Sequence, residues 1–289
     1  MSYNTENNMT SWAPPSDALE LRGGVWRARQ ISAVSYPEHG NDACFQLEDH
    51  SYWFRHRNNC IRAVVRQFLP AGSVYDVGGG NGFVAAGLQQ DGHEVVVVEP
   101  GPGVLNAKKR GVKHVVGAAL GDAEFRAGSL PAVGAFDVVE HISDDVSFLS
   151  SIHTLLSPGG RFYCSVPAFN SLWSNEDVHA GHFRRYSRDT LTESLRRSGF
   201  TVEFMSYFLA WLVAPVFLMR SIPFWLLGSR QNRKDSMEMM KSDHSLPSLL
   251  SGTVGMTHQW ELNRLRKGRA IPFGTSLLCV ARKSPVPIV

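Results

Sequence analysis

Ser73-Val-Tyr-Asp76-Val-Gly78-Gly-Gly80-Asn-Gly82 is the stretch that decides how this chain folds. A short apolar run enters a cluster of glycines, and the residues that follow, 83–88, suit a helix. Glycines at such a turn let the backbone pass close beneath a ligand, and the N–H groups that open the helix are free to meet a carboxylate or phosphate. Outward from this turn the chain alternates β-rich and helical stretches, the pattern of a parallel sheet covered on both faces. Strands are expected at 73–77, 94–98, 114–117, 132–136, 161–166, 201–207 and 275–282. Helices are expected near 82–91, 103–110, 143–156 and 188–198, the last capped by Ser187 and stopped by Gly199. A further helix over 44–69 leads into the first strand, because Ile61, Val64, Val65 and Phe68 recur at helical spacing.

The 289 residues, 43% of them apolar, suffice for one domain with elaborations. Residues 1–43 read as a loosely structured arm, 44–289 as a single domain, and 208–270 as a helical apolar insertion before the last strand, with a loop at 229–245 and a helix at 247–266. The net charge of +3 is scattered along the chain and forms no basic stripe, so nucleic acid is not expected as a partner. Four dispersed cysteines and a polar N-terminus argue against a disulfide framework and a secretory signal, and favour a reducing cytoplasm. The apolar run 204–219, broken by Ser206 and Pro215 and followed by the patch 222–227, falls short of the ~20 residues of a membrane span. Residues 204–227 are nevertheless expected to meet another body: a second copy of the chain, an apolar or lipid-like acceptor, or a membrane surface.

Within the glycine turn, Gly80-x-Gly82-x-x-Ala85 also satisfies a loosened dinucleotide pattern, so spacing alone leaves NAD open. Asp76 argues for a methyl donor instead, since an acid there lies beside that ligand's cationic amino end and would repel a pyrophosphate. Glu99 closes the second strand, where an acid takes the hydroxyls of a ribose.

Together with these features, Phe136-Asp-Val-Val-Glu-His-Ile142 and Leu156-Ser-Pro-Gly-Gly-Arg-Phe-Tyr-Cys-Ser-Val-Pro167 make residues 45–205 resemble the type-11/12 class I S-adenosylmethionine-dependent methyltransferases. That resemblance implies a Rossmann-like seven-stranded α/β sheet of order 3-2-1-4-5-7-6, with S-adenosylmethionine as cofactor. It implies that Asp76 and Gly78 hold the methionine moiety, Glu99 the ribose, and Leu120 and Asp122 flank the adenine, with Gly80, Gly82 and Asp137 also at the cofactor. The chain departs from many relatives at Leu130-Pro131; Pro131 should begin a short fourth strand.

Methyl transfer needs a nucleophile in line with the donor methyl, and where the acceptor is a hydroxyl, a nearby base to take its proton. His182, His141 and Tyr186 are the candidate bases. Asp137, Glu140 and His141 resemble the ExxEH set of quinone-biosynthesis O-methyltransferases and are metal candidates; Glu140 and His141 equally suit a cap on the next helix. Trp173–Ser187 reads as an acceptor loop, or as a scaffold in which Arg184 or Arg185 pairs with Asp177 or Glu176. Trp53-Phe54-Arg55 reads as a lid over the donor, or as rings buried against the sheet. The leading expectation is methyl transfer to a small or amphipathic acceptor. The alternatives are an NAD(P)-dependent oxidoreductase and a non-catalytic cofactor-binding partner protein.

Overall fold

A computed structural model of the chain describes residues 12–29, 40–228 and 251–284. Its strands are β1 (Leu19–Arg22), β2 (Val25–Ala28), β3 (Val74–Val77), β4 (Val95–Val98), β5 (His114–Gly117), β6 (Leu130–Phe136), β7 (Leu156–Pro167), β8 (Phe200–Phe208) and β9 (Ser276–Lys283). They form one sheet in the order β1-β2-β5-β4-β3-β6-β7-β9-β8. The valines of β3 and β4 are buried throughout, as parallel strands with helices on both faces must be. Only β9, which pairs antiparallel with β7 and β8, and the first hairpin break the parallel run.

The helices are α1 (Gly40–Glu48), α2 (Tyr52–Gln67), α3 (Phe83–Gln90), α4 (Gly103–Lys109), α5 (Asp145–Leu155), α6 (Asn175–Ala180), α7 (Arg188–Arg197), α8 (Val213–Val216), α9 (Ile222–Leu227) and α10 (Ser251–Arg266). The single helix expected over 44–69 is two, because the Ser51 side chain accepts the N–H groups of Trp53 and Phe54 and restarts the helix there. Ser187 caps α7 in a capping box with Thr190, and Gly199 follows the helix at φ +88°. One core packs α5 and α7 against the sheet; the other packs α2, α3, α4 and α10 against its opposite face.

Three expectations are corrected. The sheet has nine strands, not seven, so the expected order does not describe it; the hairpin β1–β2 lies outside β5, with Trp26 opposite Val116. That hairpin comes from the segment read as an arm. Gly23 and Gly24, both at positive φ, make its turn, and the Trp12 ring stacks on His114 at 4.4 Å to fasten it. The fourth strand is not short: β6 spans seven residues, and Pro131 is carried inside it where the register with β7 shifts between Leu130 and Ala132. A bulge is where a residue without an N–H can be tolerated. Finally, not all of the run 204–227 expected to meet another body is exposed. Phe204, Met205, Tyr207 and Phe208 belong to β8 and are buried, and only the helical part beyond them is bare. The loop expected at 229–245 and the first residues of the helix expected from 247 lie outside the described residues.

Candidate active site

The C-terminal ends of β3, β4, β6 and β7 share one edge of the sheet, the edge at which open α/β sheets take ligands. Asp76 sits there in β3, held between Val97 of β4 and Gly134 of β6. It is 1% exposed, its Oδ2 has no hydrogen-bond partner, and burial, reinforced by Glu99 and opposed by Arg57, pushes its pKa up to about 7. A buried carboxylate with an idle oxygen costs free energy until a cationic donor reaches it. The glycines above it have separate jobs. A Cβ at Gly78 would lie 2.7 Å from Val138 and one at Gly82 2.8 Å from Ala107, so both are demanded by packing as well as by positive φ. A Cβ at Gly80 meets no atom within 4 Å, although φ is +50°. Gly80 therefore presents bare backbone to the ligand side.

Glu99 follows β4. Its Oε2 accepts the Gly80 N–H at 3.0 Å and its Oε1 the Gly101 N–H at 2.7 Å, which partly offset the burial that raises its pKa. Each oxygen keeps a lone pair for a hydroxyl donor. Leu120 and Asp122 lie half-buried in the loop after β5, with Leu120 packed on the core.

Asp137 ends β6 in a left-handed conformation, φ +58°, that non-glycine residues seldom adopt outside functional sites. This turn aims its carboxylate at Arg57, whose Nε donates to Oδ2 at 2.5 Å, and at Ser165, whose hydroxyl donates to Oδ1 at 2.7 Å. Among the described residues Asp137 is not part of the donor cluster that contains Glu140. The described cluster is instead Glu140, His141 and His182, whose ligand atoms lie within 4.8 Å of one another. Nor does Glu140 cap α5, a task taken by Asp144, which accepts the Ser147 N–H. Glu140 is 1% exposed with Oε2 unpartnered, and burial with the neighbouring Asp137 charge holds it protonated well above the usual carboxylate range. Burial, then the adjacent His182, push His141 down to about 4, so it is neutral at neutral pH.

His182 is set by a pair that spacing alone did not reveal. Gly181, at φ +75°, ends α6 and turns the chain back, so that His182 Nδ1 donates to Asp177 Oδ1 at 2.8 Å. Arg185 binds the same carboxylate through Nε at 2.7 Å and Nη2 at 3.0 Å. Burial raises the Asp177 pKa, but the His182 and Arg185 contacts overcome it and hold the group ionised below the usual range. Because Asp177 only accepts, a neutral His182 ring carries its proton on Nδ1 and leaves the lone pair on Nε2. The loop is thus a scaffold that holds His182 beside His141, ring centroids 4.7 Å apart; Glu176 pairs with Arg220 at 2.6 Å. Tyr186 is fully buried and donates its hydroxyl to Asp145 at 2.9 Å, while burial raises its pKa.

Arg57 was not foreseen. It lies on α2 one turn before Ile61, on the same apolar stripe, and a buried cation on such a stripe was the available signal. Trp53 sits half-buried on the core with the Arg57 guanidinium 5.8 Å from its ring centroid.

A family profile for methyltransferase domains matches residues 52–203. The chain belongs to the class I S-adenosylmethionine-dependent methyltransferases. It is 26% identical over 164 residues to a probable S-adenosylmethionine-dependent methyltransferase of Mycolicibacterium smegmatis, covering 54% of this chain and 62% of that one. A ubiquinone biosynthesis O-methyltransferase of Ruegeria pomeroyi is 32% identical over 100 residues, covering 32% and 39%. The chain thus matches less than two thirds of either relative's length. Phosphoethanolamine N-methyltransferase 2 of Haemonchus contortus, solved with S-adenosyl-L-methionine, shares the fold at a TM-score of 0.52 and 16% identity, covering 90% of this chain and 62% of that one. The buried idle carboxylate of Asp76 and the open Gly80 backbone fit this methyltransferase cofactor.

Proposed function

We propose that this chain transfers the methyl group of S-adenosylmethionine to a small or amphipathic acceptor, with His182 as the proton-accepting base. When bound, the cofactor supplies a sulfonium methyl that passes to the acceptor as the sulfur becomes a neutral thioether. Asp76 would accept from the donor's ammonium, and Arg57, fixed by Asp137 and the Phe136 carbonyl, would offer its remaining N–H donors to the donor's carboxylate. Glu99 takes the ribose hydroxyls, and Leu120 and Asp122 flank the base. Gly80 lets the cofactor lie against bare backbone. His182 Nε2, with its tautomer fixed by Asp177, removes the acceptor's proton as the new bond forms. The one observation that carries this reading is the buried, unpartnered Asp76 oxygen beneath the glycine turn.

The test is incubation with methyl-labelled cofactor and a panel of phenolic, amine and polyprenyl-type acceptors. S-adenosylhomocysteine release that His182→Ala slows, without weakening cofactor binding, supports the reading. Cofactor binding without turnover on any acceptor returns the chain to the non-catalytic alternative. A second reading is favoured by one observation, the clustering of Glu140, His141 and His182: these oxygen and nitrogen donors suit a divalent cation once Glu140 loses its proton. Loss of turnover on chelation, restored by the metal, supports it.

A further inference from the structure

The helical run that leaves the ligand edge is bare where a buried helix would be covered. Phe208, at the end of β8, and Pro167, at the end of β7, both face Ser276 of β9, so the two strands finish level on the ligand edge. The chain then turns at Leu209, φ +58°, and is fixed there. Glu261 of α10 accepts the N–H groups of Leu209 at 3.0 Å and Ala210 at 2.7 Å, and binds His56 of α2 at 2.7 Å. One face of the run docks on the protein. Val216 and Ser221 are buried, and Arg220 reaches Glu176, on the short helix that also carries Asp177. The rest of the run is largely apolar and open: Phe217, Leu218, Met219, Trp225, Leu226 and Leu227 are exposed by 40% to 78%.

We propose that the run 210–227 lies in the interface of an anionic lipid bilayer, and that the methyl acceptor is an amphipath drawn from that lipid phase. Exposed large apolar residues normally occur singly; six within eleven residues call for an apolar partner. The window Ala210–Leu227 has a mean hydropathy of 1.6 with only 17% of it buried. Its 18 residues are long and apolar enough to cross a membrane, but its docked face is tied to the protein through Val216, Ser221 and Arg220, so it lies on the membrane and does not cross it. Trp225 is the residue type that favours the headgroup level.

Charge chooses the bilayer over a second copy. Directly after Gly228 the sequence reads Ser-Arg230-Gln-Asn-Arg233-Lys234-Asp235, with three cations before the first acid, complementary to anionic headgroups. Arg230 follows Leu227 by three residues in sequence, so a two-fold interface through the patch would bring like charges of both copies toward one another. Because Glu176 and Asp177 share a helix, the docked run stands beside the loop that presents His182. The membrane then faces the acceptor side of the site. This second half rests on the methyl-transfer reading above.

The test is co-sedimentation of the full chain with vesicles of phosphatidylcholine alone and of equal parts phosphatidylcholine and phosphatidylglycerol. Binding is expected to the anionic vesicles, about tenfold weaker on neutral vesicles or in roughly 0.5 M salt, and lost in a Leu218→Asp/Leu226→Asp double variant. Both substituted side chains are exposed, so the variant should keep its S-adenosylhomocysteine affinity. No binding to anionic vesicles overturns the proposal, as does a solution dimer that the double variant makes monomeric. Resistance of bound protein to alkaline carbonate overturns it in favour of a span. A chain that binds vesicles but not S-adenosylhomocysteine refutes the methyl-transfer reading and leaves the docking intact.

Discussion

Replacing Asp76 by Asn should stabilise the ligand-free protein while weakening its hold on the cofactor. In the folded chain the Asp76 carboxyl titrates near 7 against an ordinary 3.8, because burial disfavours its charge. The unfolded chain therefore gives up this proton first as pH rises. Folding stability falls between about pH 4 and pH 7 and then levels, and at about 1.4 kcal/mol per pH unit the loss reaches ~4 kcal/mol. Asn cannot ionise and escapes this loss, although its amide is still buried without the ligand's donor. The variant should be more stable than the parent by roughly 2 to 4 kcal/mol at about pH 8 and nearly equal to it at about pH 4. Losing a charge-assisted hydrogen bond to the donor ammonium costs about 1.5 to 3 kcal/mol, or roughly 10- to 100-fold in affinity. Urea unfolding of both proteins at the two pH values, with calorimetric titration of S-adenosylhomocysteine, reads both effects. A stability gap independent of pH, or undiminished affinity, would refute the reasoning.

Gly80→Ala should cost only about 1 to 2 kcal/mol of stability, from its left-handed backbone, yet weaken cofactor binding by more than roughly tenfold. Gly82→Ala, whose new methyl meets Ala107 at 2.8 Å, should instead fail first in thermal unfolding; equal effects of the two would contradict the assignment of Gly80 to the ligand. His182→Gln should lower kcat by about 100-fold or more with cofactor affinity kept, and Asp177→Asn should follow it in kcat and in the altered pH profile. An unchanged kcat in either would remove the base. Because burial and His182 push His141 down to about 4 from 6.5, its contribution to stability is full above 6.5 and lost as pH falls toward 4. His141→Gln should therefore lose less stability than the parent between about pH 7 and pH 5, measured by denaturant midpoints; parallel losses would place His141 in solvent.

The parallel centre of the sheet was legible because buried parallel strands must be continuously apolar, as 74–77 and 95–98 are, and because glycines punctuate their ends. The hairpin was not, since Leu19-Glu-Leu-Arg and Val-Trp-Arg-Ala28 are only half-buried and so look polar. Within 204–227 the change from strand to helix was legible, since a strand was expected to end at 207; the backbone turn at Leu209 that makes it was not marked by composition. Residue types identified Asp76, Glu99, Glu140, His141 and His182 as candidates. What they could not supply was direction: the positive φ of Asp137 that turns its carboxylate to Arg57, and the Gly181 turn that joins His182 to Asp177. Arg57 went unnoticed because its partners are 79 and 80 residues away.

The central claim, that the turn from Asp76 to Gly82 with Glu99 is a methyl-donor site, is tested most directly by calorimetric titration of the full chain with S-adenosylhomocysteine and, separately, NADH. The account predicts one-site binding of S-adenosylhomocysteine in the micromolar range, on the order of −8 kcal/mol, and none of NADH. Binding of NADH, or of neither ligand, would contradict it.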